Sequence, residues 1–295
     1  MLPNRPHELP TVRQFVLILS LLFPSLAQAE RLPLKTYTTA DGLAHNEINK
    51  IVRDSRGFLW FCLADGLSRF DGYEFTNYGT AQGLPHPYVT DFLETRAGDF
   101  WVATMGGLVR FNPKGIPAKN PVYENGRSLP GPMFTTILPD DDDRHAKAVT
   151  MLLEDPNGTI WCGTYKGLFR MDRRDNRFSV QPVDIGIPSQ YPEQLLISDL
   201  LPDAYGSLWI ATASGLYRRW SDGSAARYTK RDGLPDDYVH DLMKDHLGRM
   251  WAGTRSGGFF LFTADDSHRR PVIAHSYKAL DGRSEERRVG KECRL

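Results

Sequence analysis

The sequence predicts an all-β fold: a β-propeller of four-stranded antiparallel blades, with five recognisable repeats and an incomplete ring. Three observations lead there. A short phrase, a turn with glycine followed three residues later by tryptophan, occurs five times, around Gly57 and Trp60, Gly98 and Trp101, Gly158 and Trp161, Gly206 and Trp209, and Gly248 and Trp251. The tryptophans are 41, 60, 48 and 42 residues apart, and a repeat period in the forties made of strand-like runs marks a radial or stacked repeat architecture. A second phrase links the units: Tyr37 to Leu43, Tyr78 to Leu84 and Tyr228 to Leu234 each run from tyrosine to Gly-Leu, and a fourth copy begins at Tyr277 but carries Arg283 where leucine is expected.

Taken in chain order, residues 1–29 read as an export signal. Arg5 and Arg13 give a positive start, Phe15 to Phe23 is apolar except for Ser20, and Ala27-Gln28-Ala29 is a small-x-small cleavage site. The run is too short for a permanent membrane span, so Glu30 is the expected mature N-terminus. The propeller repeats are assigned to residues 30–282, and Leu32 to Thr38 reads as an outer strand of a blade completed by the far end of the ring.

The first unit shows the blade. Ile48 to Val52, Phe58 to Leu63, Leu67 to Phe70 and Tyr73 to Tyr78 are short strand-like runs, separated by turns at Gly57, Gly66 and Gly72. Asp-Gly between apolar runs is hairpin chemistry. Two residues after each tryptophan stands a small one: Cys62, Ala103, Gly163, Ala211 and Gly253. Residues two apart on a strand share a face, so each ring lies beside a small neighbour, as interdigitating blades require. The five tryptophans and their turn glycines are therefore read as structural. Trp220 lies outside the phrase and receives no role. Cys62 and Cys162 stand one register step apart and are expected to be free, buried thiols on opposite faces. Asn112 to Lys147 reads as a long surface loop. The charged segment 283–295 has no strand period and looks foreign to the repeat.

Composition narrows the classes of function. The 36 basic and 36 acidic residues cancel, so no basic face for nucleic acid is indicated. Three cysteines make no disulfide framework. Neither a Gly-x-Ser-x-Gly elbow nor a His-Glu-x-x-His motif occurs. No cofactor is implied. Asp140 to Asp143 cluster carboxylates as a calcium loop does, but a solvated acidic loop is the reading adopted, and no metal site is assigned.

The two phrases together resemble the two-component regulator propeller repeat, over about Leu32 to Gly282. The resemblance implies the extracytoplasmic sensor region of a two-component receptor, with many members sensing carbohydrates. It further implies more blades, an anchor and an output domain such as a histidine kinase beyond this segment. The chain would then be the N-terminal part of a longer sensor, periplasmic, tied to the membrane only through regions further on, and able to dimerise through the full receptor.

Candidate ligand-binding residues follow from blade geometry. The loops entering each inner strand, and those between second and third strands, open on one face. They offer His45, Asn46, His86, Tyr88, Tyr165, Lys166, Asp237, Tyr238 and Arg255, with Asp65 beside them. Aromatic and amide groups near arginine suit a small polar ligand or an oligosaccharide. Two other classes stay open: an exported propeller enzyme acting on polysaccharide, for which Asp237, His86 and Tyr88 would converge, and a protein-binding scaffold, which would show a broad apolar face.

Overall fold

Short apolar runs broken by glycine turns can satisfy their backbone groups only by pairing with the next run, and that pairing builds the molecule. The computed structural model describes residues 34–278 apart from 115–122, 125–126, 129–131, 141, 175–176, 189–191 and 266–270. The export segment 1–29, the tail 283–295 and Cys293 lie outside the described residues. The strands belong to one compact unit, Thr36–Cys293.

Five four-stranded antiparallel sheets follow one another as blades, each running from an inner to an outer strand. Blade one is Ile48–Arg53, Leu59–Leu63, Gly66–Phe70 and Phe75–Tyr78. Blade two is Val89–Glu94, Phe100–Thr104, Gly107–Phe111 and Phe134–Ile137. Blade three is Val149–Glu154, Ile160–Thr164, Gly167–Arg174 and Arg177–Val183. Blade four is Ile197–Pro202, Leu208–Thr212, Gly215–Arg219 and Ala225–Tyr228. Blade five is Val239–Lys244, Met250–Thr254, Phe259–Thr263 and Val272–Tyr277.

One expectation is corrected here. Asn112 to Lys147 is not simply a loop: it contains the outer strand of blade two, Phe134–Ile137, together with a small hairpin, Tyr123–Glu124 with Arg127–Ser128, and one helical turn, Arg144–Lys147. The segment lacks the Asp-Gly hairpin between third and outer strands that marks blade one, so its strand was hidden behind the excursion.

The Gly-x-x-Trp phrase works through the aspartate that opens it. Asp54 Oδ1 accepts the N–H groups of Arg56 and Phe58, closing the turn, and Oδ2 accepts the Trp60 indole N–H at 3.0 Å. Asp155, Asp203 and Asp245 hold Trp161, Trp209 and Trp251 in the same way, at 2.9, 3.1 and 3.0 Å. The turn glycine has positive φ in all five copies, where a side chain would be strained. In blade two Thr95 replaces the aspartate and closes only the turn, its hydroxyl accepting the Asp99 N–H at 3.0 Å. Opposite the tryptophan on the third strand stands Arg69, Arg110, Arg170 or Arg218, but Leu261 in blade five.

The Gly-Leu joints are single 3-10 turns, Thr39–Asp41, Thr80–Gln82 and Lys230–Asp232, each ending on a left-handed glycine. Asp41, Gln82 and Asp232 accept the N–H three residues back, and Leu43, Leu84 and Leu234 are buried.

The cores lie between successive blades. Trp60 packs against Phe92, Phe100 and Phe111 of blade two, and Trp101 against Val149, Leu152 and Phe169 of blade three. Trp161 meets Ile197 and Tyr217 of blade four, and Trp209 meets Val239, Phe260 and Phe262 of blade five. Cys62 and Cys162 are both free and buried, in the first and second of these cores. Gly163 shows why the small position is small: a Cβ there would stand 2.9 Å from Ile197 and from Met151. Among the described residues no core cluster joins blade five to blade one.

Candidate functional site

The first three residues of each inner strand repeat a pattern: Ile48-Asn49-Lys50, Val89-Thr90-Asp91, Val149-Thr150-Met151, Ile197-Ser198-Asp199 and Val239-His240-Asp241. Every one of these strands shifts register between its first and third residue. Such a bulge re-aims side chains that strict alternation would send to opposite faces. The second and third residues of all five strands consequently line one cavity of 780 Å³.

These residues also clasp neighbouring blades. At the second position, Asn49, Thr90 and Thr150 each donate to the first-position carbonyl of the next blade, on Val89, Val149 and Ile197, at 2.7 Å in all three cases. At the third, Asp91 accepts the Leu152 N–H at 2.9 Å and Asp199 the Leu242 N–H at 2.8 Å. Lys50 reaches forward to Asp91 at 2.7 Å. Burial works against the lysine's charge, but Asp91's charge and hydrogen bond outweigh it and raise its pKa. Burial pushes the Asp199 carboxyl up to about 6 in spite of its backbone hydrogen bonds. The hydrogen bond that His240 donates to Asp241, at 3.0 Å, raises the pKa of His240.

Of the nine candidate residues, four line the cavity: His86, Tyr88, Tyr165 and Tyr238. His86 Nδ1 accepts the Tyr88 N–H at 3.0 Å, which leaves the ring proton on Nε2. Tyr88 donates its hydroxyl to Asn49 at 2.9 Å. Arg255 is not a lining residue but lies over the Tyr238 ring, 5.4 Å from its centroid, and braces it. The other four serve the fold. His45 accepts the Glu47 N–H, and Asn46 and Asp237 accept the N–H groups of Thr39 and Lys230 at the joint turns. Lys166 pairs with Asp143 at 3.3 Å. Asp65 is not among the cavity-lining residues. Asp237, His86 and Tyr88 do not converge on one point, because Asp237 is turned to its own joint.

Sequence reading missed Asn49, Lys50, Asp91, Asp199, His240 and Asp241. The signal was present as polar residues at the second and third places of otherwise apolar strands, but the bulge that aims both inward leaves no mark in the alternation. In the acidic run Asp143 caps the helical turn through the His145 N–H, and Asp141 lies outside the described residues; among the described residues no group of His, Cys, Asp or Glu is arranged to hold a metal.

Four-stranded blades around a polar cavity define a propeller-type domain. Residues 83–106, 146–166 and 233–256 match the family described as two component regulator propeller, and these segments are repeats of that family. Among curated proteins none matches the chain. Two extracellular domains assigned to hybrid two component systems of B. thetaiotaomicron share the fold, with 22% and 18% identity and TM-scores of 0.61 and 0.62 over 79% and 84% of this chain. This chain covers 30% and 34% of their lengths. Virginiamycin B lyase from Staphylococcus aureus shares it too, with 15% identity and a TM-score of 0.55, over 79% of this chain and 70% of that one. No helix among the described residues is long and apolar enough to cross a membrane.

Proposed function

We propose that this chain is the ligand-binding part of an exported two-component sensor, and that it takes a small polar ligand, an oligosaccharide by chemistry, in the cavity between its inner strands. The observation that carries the reading is that cavity: 780 Å³, lined by the second and third residues of all five blades and flanked by Tyr88, Tyr165 and Tyr238. Tyrosine rings give a sugar apolar faces, and the amide and carboxylate groups beside them give its hydroxyls partners. The repeat family supports a sensor, and residues 1–29 support export. Binding would be read out by a longer receptor through a change in how the blades or their neighbours pack, which requires different ligand contacts in two states. The domain acts by binding and catalyses nothing.

Calorimetric titration with a panel of short oligosaccharides tests this. Tyr165→Ala and Tyr238→Ala should each weaken binding about tenfold, of the size expected for a lost stacking face, with melting unchanged. A ligand that binds equally well to both variants, or turnover of the bound saccharide, would overturn the reading.

A further inference from the structure

The charges on the cavity wall do not balance, and the imbalance specifies the ligand further. This inference rests on the ligand-binding reading above. Of the third-position residues, Lys50 and Asp91 neutralise each other at 2.7 Å. Met151 is apolar. Asp199 has both carboxylate oxygens on backbone N–H groups, of Leu200 and Leu242, each at 2.8 Å. Among the described residues no cationic side chain lies within ion-pair distance of it. Among the described residues Asp241 has His240 as its one ion-pair partner, charged when protonated. Three carboxylates thus face one ammonium group when His240 is neutral.

The field is shared across the cavity, since Asp199 feels Lys50 from blade one and Asp241 from blade five. Its surroundings are aromatic as well as acidic: Tyr165 is 39% exposed, and the Tyr238 and His240 rings stack with centroids 6.2 Å apart. Carboxylates with aromatic faces attract an alkylammonium group by charge and by the ring quadrupole together. A neutral sugar would leave Asp199 without a counter-charge after displacing water, and a uronate would be repelled.

We propose that the cavity binds a ligand carrying a protonated primary amine, with Asp199 as its counter-charge and Asp241 as a second acidic contact. The bound nitrogen supplies positive charge that this wall lacks, and a free-amine sugar unit satisfies both the carboxylates and the tyrosines.

The test compares a short glucosamine oligomer, its N-acetylated counterpart and spermidine by calorimetry at neutral pH. The free-amine oligomer should bind about tenfold more tightly than the acetylated one, as one added charge-assisted contact allows, and raised salt should erode the difference. Asp199→Asn should abolish the preference while leaving affinity for the acetylated oligomer in place. Asp241→Asn, at a position whose side chain is 77% exposed, should reduce the preference in part and keeps the test available if the first variant folds poorly. Spermidine binding that matches the oligomer would support the amine and assign the ligand to amines without sugar. Equal binding of both oligomers overturns the amine proposal and leaves the sensor reading standing. Binding of none of the three overturns both.

Discussion

Trp209 and Trp251 occupy the same place in blades four and five, yet they live in different surroundings. Each follows the same turn, and each indole N–H is held by the same aspartate, at 3.1 and 3.0 Å. Trp209 is fully buried, because the inner and third strands of blade five close over it. Trp251 is only half-buried, and beside it Met243 and Leu247 are 55% and 64% exposed. Met243, Trp251, Ala252 and Phe259 line an almost wholly apolar hollow of 460 Å³ on that flank. The opposite flank of the array differs again. Tyr37 packs edge-on against Phe70 and Phe75 of blade one, with centroids 5.1 and 5.7 Å apart. That is where Tyr78 sits against Phe111 and Phe134 of blade two. The local motif orients the ring, and only the neighbouring blade makes it core.

Several substitutions sharpen that contrast. Trp209→Ala should cost about 3–5 kcal/mol in denaturant unfolding, as large aromatic truncations in cores do, whereas Trp251→Ala should cost less than about half as much. Equal losses would show that the ring's value lies in its own turn. Asp203→Ala should cost about 3–5 kcal/mol, because it leaves Arg218, whose side chain is fully buried and pairs with it at 2.9 Å, without its carboxylate. Asp245→Ala loses the turn and indole hydrogen bonds but leaves Arg249 half in solvent, so a smaller loss, about 1–2 kcal/mol, is expected from the same melts.

Asp199 gives a pH signature. Its carboxyl is raised to about 6 by burial, so the folded state binds its proton more tightly than the unfolded chain, where such a group titrates near about 4. The stability it contributes is therefore present below about pH 4 and lost as pH rises through about 6. The slope of stability against pH across this window should shrink in Asp199→Asn, and Asp91, whose carboxyl burial also raises, carries part of what remains. The smallest effect is expected at Met243→Lys. On the open flank it should change stability by less than about 0.5 kcal/mol while reducing self-association in sedimentation measurements. A large loss would mean that the flank is covered in solution.

Most of the fold was legible because its signals are local. Asp54, Gly57 and Trp60 close one turn, and Asp41, Gly42 and Leu43 close one joint, so each phrase announces itself wherever it recurs. The outer strand Phe134–Ile137 was not legible, since its partner Gly107–Phe111 lies across an excursion that hides the pairing. The candidate site was half legible. Tyr88, Tyr165 and Tyr238 follow from where loops open. Lys50, Asp91 and Asp199 depend on a bulge and on the blade next door, and nothing within a single strand records either.

The joint between blades three and four differs from the others in kind. Blades one and two are linked by Lys50 to Asp91 and by Glu94 to the Ser55 turn, and blades two and three by Asp91 to Leu152 and by Glu154 to the Arg96 turn. Between three and four, Met151 and Pro202 stand where those carboxylates would be, and the Thr150 hydroxyl to Ile197 is the one cross-blade hydrogen bond among the described residues. This seam is held instead by close apolar packing, Gly163 against Ile197, and by the Arg219 guanidinium over the Trp161 ring, 5.2 Å from its centroid. The chain of inter-blade carboxylates is thus interrupted once, where the cavity wall passes from Met151 to Asp199.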